Sequence, residues 1–292
     1  MEPNTIEDIL RGGRTTIVPG VYDALSARIA ARAGARALYM TGFGVAGASF
    51  GVPDIGLVSA SEMIERVGVI AAACDGVPLI ADGDNGHGGP LNAAKLTRAY
   101  ERAGAAAIQL EDQVFPKRCG HMEDKEVVSR QEAAQKIRAA AEARDGKAFK
   151  IVARTDARAT HGLDEALARG ETFLKAGADV LFIEAPRTAE ELRRVAETFA
   201  GVPLLANLVE DGKTPLLGVA ELAALGYRIV LYPISALLAV TRRLEEAYGL
   251  LLKGERAGLD GSRAGFGHYN EILKLPELLA VTKALAEPNK GE

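Results

Sequence analysis

The chain has 292 residues, 48% of them hydrophobic and 25% charged, with a formal net charge of −4 and two cysteines. That is apolar material for one large domain or two small ones, while the scattered cations form no basic stripe for a nucleic-acid partner. Two thiols make no disulfide framework, the start (Met1-Glu-Pro-Asn-Thr-Ile-Glu-Asp) shows no signal-like pattern, and the longest apolar run, 229–240, is too short to span a bilayer; a soluble cytoplasmic protein without a membrane partner is expected.

Short apolar strands are predicted at 16–19, 37–41, 79–81, 107–110, 151–154, 180–183, 204–206 and 229–232, separated by amphipathic helical patterns. The strands lack polar alternation, the pattern of a parallel sheet buried on both faces. Helices end at a repeated junction, Arg32-Ala-Gly-Ala35, Arg102-Ala-Gly-Ala105 and Lys175-Ala-Gly-Ala178, with a looser copy at Ala224-Leu-Gly-Tyr227. Glycine there suits the left-handed residue that closes a helix, and the cation complements the negative end of the helix dipole. A second strand entry, Gly76-Val-Pro-Leu79 and Gly201-Val-Pro-Leu204, places proline where its missing N–H is tolerated. Eight such units in about 250 residues predict an α/β fold, a (β/α)8 TIM-type barrel. No glycine-rich nucleotide fingerprint follows the first strand, which lowers the open doubly wound alternative. The barrel is assigned to 1–253, and 254–292 to a linker and a C-terminal helical arm broken at Pro276. The arm has little core of its own, so packing on a neighbouring subunit is expected.

In such a barrel the active site lies at the C-terminal strand ends. Those ends carry Tyr39-Met-Thr-Gly42, Asp82-Gly-Asp84, Glu111-Asp112, Arg154-Thr-Asp156, Glu184 and Asn207. Acids crowded into one mouth repel unless a cation joins them, and carboxylates without histidine or thiolate companions suit Mg2+. Asp82 and Asp84, two apart on one strand, point to the same side, and Glu111 is the expected water-mediated partner. Each acid taken singly could equally cap the following helix. Arg154 suits a substrate carboxylate or a developing alkoxide, or a structural salt bridge. His87 is left outside the site, Cys74 is read as a small core residue, and His161 and His268 carry no usable signal.

The run Lys117-Arg-Cys-Gly-His121 follows the fourth strand. Cations beside Cys119 favour its thiolate and Gly120 permits hinge motion, so the segment reads either as a mobile catalytic loop or as a solvated basic one.

Together, Asp82-Gly-Asp84, Glu111-Asp-Gln113, the Lys117-to-His121 loop and Ala153-Arg-Thr-Asp156 resemble the isocitrate lyase and phosphoenolpyruvate mutase superfamily, from about residue 18 into the C-terminal arm. The resemblance implies a (β/α)8 barrel, Mg2+ with Mn2+ as a substitute, a gating loop at about 113–128, and a homotetramer that exchanges a C-terminal helix. It also implies that Thr41, Gly42 and Phe43 bind a substrate carboxylate and that Asp54 organises the metal water shell. Gly120, Arg154, Glu184 and Asn207 would line the substrate site, and Cys119 and His121 would belong to the catalytic loop.

Cys119 favours the carbon–carbon lyase branch, with the thiol as acid to a carbanion and Tyr39 as the base. Where methylisocitrate lyases carry an arginine for a third carboxylate, this chain has Leu238. A smaller, methyl-bearing 2-hydroxydicarboxylate is therefore expected, as in 2,3-dimethylmalate lyases. The alternatives are methylisocitrate cleavage to pyruvate and succinate, oxaloacetate hydrolysis to acetate and oxalate, and a non-catalytic barrel acting as a binding scaffold. Ala157, where the hydrolase branch tends to have serine, weakens the second of these.

Overall fold

The computed structural model describes residues 5–118, 120 and 125–286. The eight strands are β1 (Thr16–Val21), β2 (Leu38–Met40), β3 (Leu79–Asp82), β4 (Ala107–Glu111), β5 (Lys150–Thr155), β6 (Val180–Ile183), β7 (Leu205–Asn207) and β8 (Ile229–Tyr232). They pair in parallel in the order β6-β5-β4-β3-β2-β1-β8-β7. The remaining seam is closed by a parallel bridge between Leu181 and Leu204, so the sheet is a nearly closed (β/α)8 barrel as predicted. All four junction glycines, Gly34, Gly104, Gly177 and Gly226, have the positive φ expected of them (91°, 98°, 104° and 101°).

The helices are α1 (Ile6–Arg11), α2 (Ala24–Arg32), α3 (Gly42–Val45) running into a π turn at Ala46–Phe50, α4 (Ala60–Ala73), α5 (Pro90–Arg102), α6 (Arg130–Ala143), α7 (Ala157–Thr160), α8 (Leu163–Lys175), α9 (Ala189–Thr198), α10 (Val219–Leu225), α11 (Ser235–Leu252), α12 (Phe266–Ile272) and α13 (Leu275–Ala286). None is long and apolar enough to cross a membrane.

Side chains alternate across each strand, which divides the core in two. One cluster, including Leu38, Met40, Leu79, Ala81, Ile108 and Leu110, joins the outer sheet face to the helices. The other fills the lumen with Val18, Tyr39, Ile80, Ala107, Val152, Val180, Phe182, Leu205, Ile229 and Leu231. Ile6, Ile9 and Leu10 of α1 belong to this second cluster. Their helix starts at a capping box, in which Thr5 accepts from the Asp8 amide and Asp8 accepts from the Thr5 amide.

The chain divides into a compact unit ending at Leu237 and a second unit from Leu238 onward. The second contains most of α11, a 3-10 turn at Arg256–Leu259, α12 and α13. Its helices expose Leu244, Tyr248, Leu252, Phe266, Leu278, Leu279 and Leu285.

Candidate active site

The lumen rows continue upward as polar residues of the same parity. Asp82 stands two residues after Ile80, Gln109 and Glu111 two and four after Ala107, Arg154 two after Val152, Glu184 two after Phe182, and Asn207 two after Leu205. A strand with a side-chain period of 2 that buries its lower residues in the lumen therefore delivers its last residues to the mouth. There Asp82, Glu111, Arg154, Glu184 and Asn207 line a small cavity of about 50 Å³, with Tyr39, Thr41, Phe43, Asp54, Lys117, Arg118, Gly120, Phe182, Val209, Leu231, Pro233 and Ile234 completing the wall.

One side of the site is acidic. Asp82 Oδ2 accepts from the Gly42 amide at 3.2 Å, and its Oδ1 accepts from the Asp84 amide at 3.1 Å and Gln109 Nε2 at 3.3 Å. A Cβ on Gly42 would stand 2.8 Å from Asp82 Oδ2, so only glycine allows this approach. Gly42 thus gives its N–H to Asp82, while the neighbouring Thr41 and Phe43 line the cavity. Lys117 reaches in from the loop, pairing with Asp54 and lying 2.7 Å from Asp84 Oδ1. Burial works against its charge, yet Asp84, Asp54, Glu111 and Asp82 together hold the ammonium well above the usual lysine range. Burial and the adjacent Asp84 push Asp82 up to about 6, and burial raises Asp54 and Glu111 despite the nearby cations.

The other side is organised by Arg154. Its Nε and Nη2 each donate to Asp156 at 3.0 Å, its Nη1 lies 3.3 Å from Glu111 Oε2, and its Nε lies 3.5 Å from Glu184 Oε2. The guanidinium sits 5.3 Å above the centre of the Phe182 ring. Asn207 Nδ2 donates to Glu184 Oε2 at 3.3 Å. Asp112 is a structural tie rather than part of the ring of acids. It accepts from Thr155 Oγ1 at 2.6 Å, from the Asp156 amide at 2.9 Å and from Arg169 at 2.9 Å, joining β4 to β5 and α8.

A hard divalent cation fits the acidic side. Glu111 Oε1 is buried without a hydrogen-bond donor, and Asp82 Oδ2 and Asp84 Oδ1 converge beside Gly42, within 2.8 and 3.5 Å of where a Cβ there would stand. Among the described residues no three histidine, cysteine or acidic side chains form a cage by themselves. The two aspartates at one strand end match the need of Mg2+, which takes one or two protein carboxylates and fills the rest of its shell with water and substrate.

Several sequence expectations change. Tyr39 donates to Gln109 Oε1 at 3.0 Å, and burial together with Asp82, Glu111 and Asp84 raises its phenol well above the ordinary value. Its hydroxyl therefore points at Gln109, beside the acids of the site. Gly120 also allows close approach, because a Cβ there would stand 2.3 Å from Arg154 Nη2. His87, set aside on sequence, lies with Nε2 3.7 Å from Asp84 Oδ2, and burial lowers its pKa. Leu238 belongs to the second unit. Cys119 and His121 lie outside the described residues. Lys117 was read only as a cation beside Cys119 and Lys125 was not singled out, because nothing local tells a solvated lysine from one aimed into a barrel.

The model of one family, phosphoenolpyruvate phosphomutase, matches residues 6–252. The chain belongs to the phosphoenolpyruvate phosphomutase family. Within it, 2,3-dimethylmalate lyase of Eubacterium barkeri is 43% identical over 94% of this chain and 95% of its own. The 2-methylisocitrate lyase of Bacillus subtilis (strain 168) is 43% identical over 80% and 76%. Among solved structures, oxaloacetate acetylhydrolase bound to 3,3-difluorooxalacetate superposes with a TM-score of 0.92 at 34% identity, covering 98% of each chain. Phosphonopyruvate hydrolase, solved with oxalate and Mg2+, gives 0.84 at 32% identity, covering 94% of this chain and 96% of its own. Members of this family thus include carbon–carbon lyases that act on small carboxylic acids, and the acidic strand ends of this chain stand in that context.

Proposed function

We propose that this protein is a Mg2+-dependent lyase that cleaves the C2–C3 bond of a 2-hydroxydicarboxylate of the 2,3-dimethylmalate type, giving pyruvate or another 2-oxoacid and a simple carboxylate. The observation that carries this reading is the two-sided cavity. Acids and Arg154 stand together, while Phe43, Val209, Leu231, Pro233 and Ile234 supply an apolar lining. Methyl groups suit such a lining. An extra carboxylate buried against it without its own cation would cost several kcal/mol, and Lys117 and Arg154 are already engaged by acids.

Asp82 and Asp84 would hold the metal, with Glu111 and Asp54 acting through water; when bound, the ion supplies Lewis-acid polarisation of the 2-hydroxyl and C1 carboxylate. Arg154 is placed to stabilise the developing alkoxide, and its bidentate bond to Asp156 fixes its plane. The hydroxyl proton is assigned to the carboxylate side, where Glu111 Oε1 is buried without a donor, while the Tyr39 hydroxyl is engaged with Gln109. Cleavage leaves a carbanion at C3, and Cys119 is the proposed acid that protonates it, with His121 beside it in the loop. Mn2+ should substitute for Mg2+.

The likeness to oxaloacetate acetylhydrolase favours a second reading, hydrolysis of oxaloacetate to acetate and oxalate. Ala157, buried at the start of α7, offers no hydroxyl for it.

Incubation with Mg2+ and 2,3-dimethylmalate, 2-methylisocitrate or oxaloacetate, followed by quantification of products, separates these readings. Pyruvate and propionate from dimethylmalate are expected. Pyruvate and succinate from methylisocitrate alone would overturn the substrate assignment, oxalate from oxaloacetate alone would establish the hydrolase, and absent Mg2+ affinity would favour a scaffold. Cys119→Ala should abolish turnover while leaving Mg2+ and oxalate binding within about threefold.

A further inference from the structure

Lys125 has no part in the chemistry above, yet its side chain is only 2% exposed. A buried ammonium is costly unless it is paired and hydrogen-bonded, so its partners are informative. Its Nζ donates to Asp156 Oδ1 at 2.7 Å and to the carbonyl oxygen of Gly120. Both Asp156 oxygens also receive Arg154, so one carboxylate links the loop ammonium to the guanidinium of the site. Burial alone would raise Asp156, but Arg154 and Lys125 hold it below the usual carboxylate range. Gly120 lies flush against the same group: a Cβ on it would stand 2.3 Å from Arg154 Nη2 and 2.8 Å from Glu184 Cδ.

The start of the segment is fixed separately. Gln113 Nε2 donates to the Arg118 carbonyl and Gln113 Oε1 accepts from the Arg118 amide, both at 2.9 Å, and Lys117 is anchored on Asp54 and Asp84. Its far end is tied by Val114 N to Glu126 O and Val128 N to Asp112 O, each 2.9 Å. Between these ties, among the described residues, Lys125 joins Gly120 to the barrel.

We propose that Lys125 is a positioning residue: it seats the Gly120 backbone on Arg154 and Glu184 and keeps the Asp156 carboxylate turned to Arg154, without touching substrate. Replacing it removes the donor to the Gly120 carbonyl and leaves Asp156 with Arg154 as its remaining cation. The backbone at Gly120 then separates from Arg154, while the ties at Lys117 and Val128 persist.

The structural part of the test does not need the substrate. In Lys125→Met, hydrogen exchange of the peptide spanning 113–120 should accelerate about tenfold in the ligand-free protein, with the peptide spanning 82–88 unchanged. Lys125→Arg, which retains charge and donors, should restore most of the protection. Unchanged exchange at 113–120 would overturn the proposal, as would equal acceleration at 82–88, which would signify general loosening. The kinetic part rests on the lyase reading: kcat should fall on the order of 100-fold with KM within about threefold, as for a misplaced group that does not bind substrate. A wild-type chain that cleaves none of the three dicarboxylates sinks the lyase reading, and the exchange result still decides Lys125.

Discussion

At the scale of single residues, the most constrained group is Asp82, held by the amides of Gly42 and Asp84 and by the Gln109 side chain. These donors favour the carboxylate, but burial and Asp84 outweigh them and raise its pKa from 3.8 to about 6. Between those values the folded, metal-free chain binds the extra proton, so this group's contribution to stability falls as pH rises through that window. A divalent cation needs the carboxylate. Mg2+ affinity should therefore weaken below pH 6, approaching about tenfold per pH unit if one proton is displaced. Calorimetric titration across pH 5–7 checks this, and equal affinity at both ends would remove Asp82 from the metal site. The acids themselves were legible in the sequence as polar residues ending apolar runs. The partner of the Tyr39 hydroxyl was not, because Gln109 comes from a different strand and is brought close only by barrel closure.

At the scale of elements, the strand centres and helix-ending glycines were readable because both follow local rules, side-chain period and backbone sterics. The short α1 was missed; six residues give too little periodicity to show a helix, and it is identified by packing with the lumen core. Ile9, 1% exposed there, gives a test of whether α1 is part of the cooperative fold. Ile9→Ala should cost about 3 kcal/mol in urea unfolding, in the range for a large-to-small core change. A loss below about 0.5 kcal/mol would show that α1 frays independently of the barrel. The loop after β4 is a further case. Its cysteine suggested chemistry, whereas Lys117 and Lys125 reveal how the segment is anchored only once Asp84 after β3, Asp156 after β5 and Asp54 in the loop that follows α3 and its π turn are in place.

At the scale of the whole molecule, two surfaces point to assembly. Ile17 on the outer face of β1 is 49% exposed, in a cleft with Pro19, Ala30, Ala33, Ala35 and Val219. The second unit exposes Leu244, Tyr248, Leu278 and Leu285. Apolar faces of this extent mark interaction surfaces, and we propose a homotetramer in which the C-terminal helices pass to a partner. Sedimentation should give about four times the 30.7 kDa chain mass. Leu244→Asp, altering a side chain already 48% exposed, should dissociate the assembly without unfolding the barrel. An unchanged tetramer would place the interface elsewhere.

Alternation, helix closure and the polar strand ends lie within a few residues of one another, so the amino-acid order by itself determined a barrel with acids at its mouth. Which acids face one cation, which are neutralised by Arg154, Arg169 or the two loop lysines, and which glycine must stay small were decided only by tertiary structure. Those properties are set by burial and by distances of a few ångströms between residues far apart in the chain, and closing the barrel is what creates both.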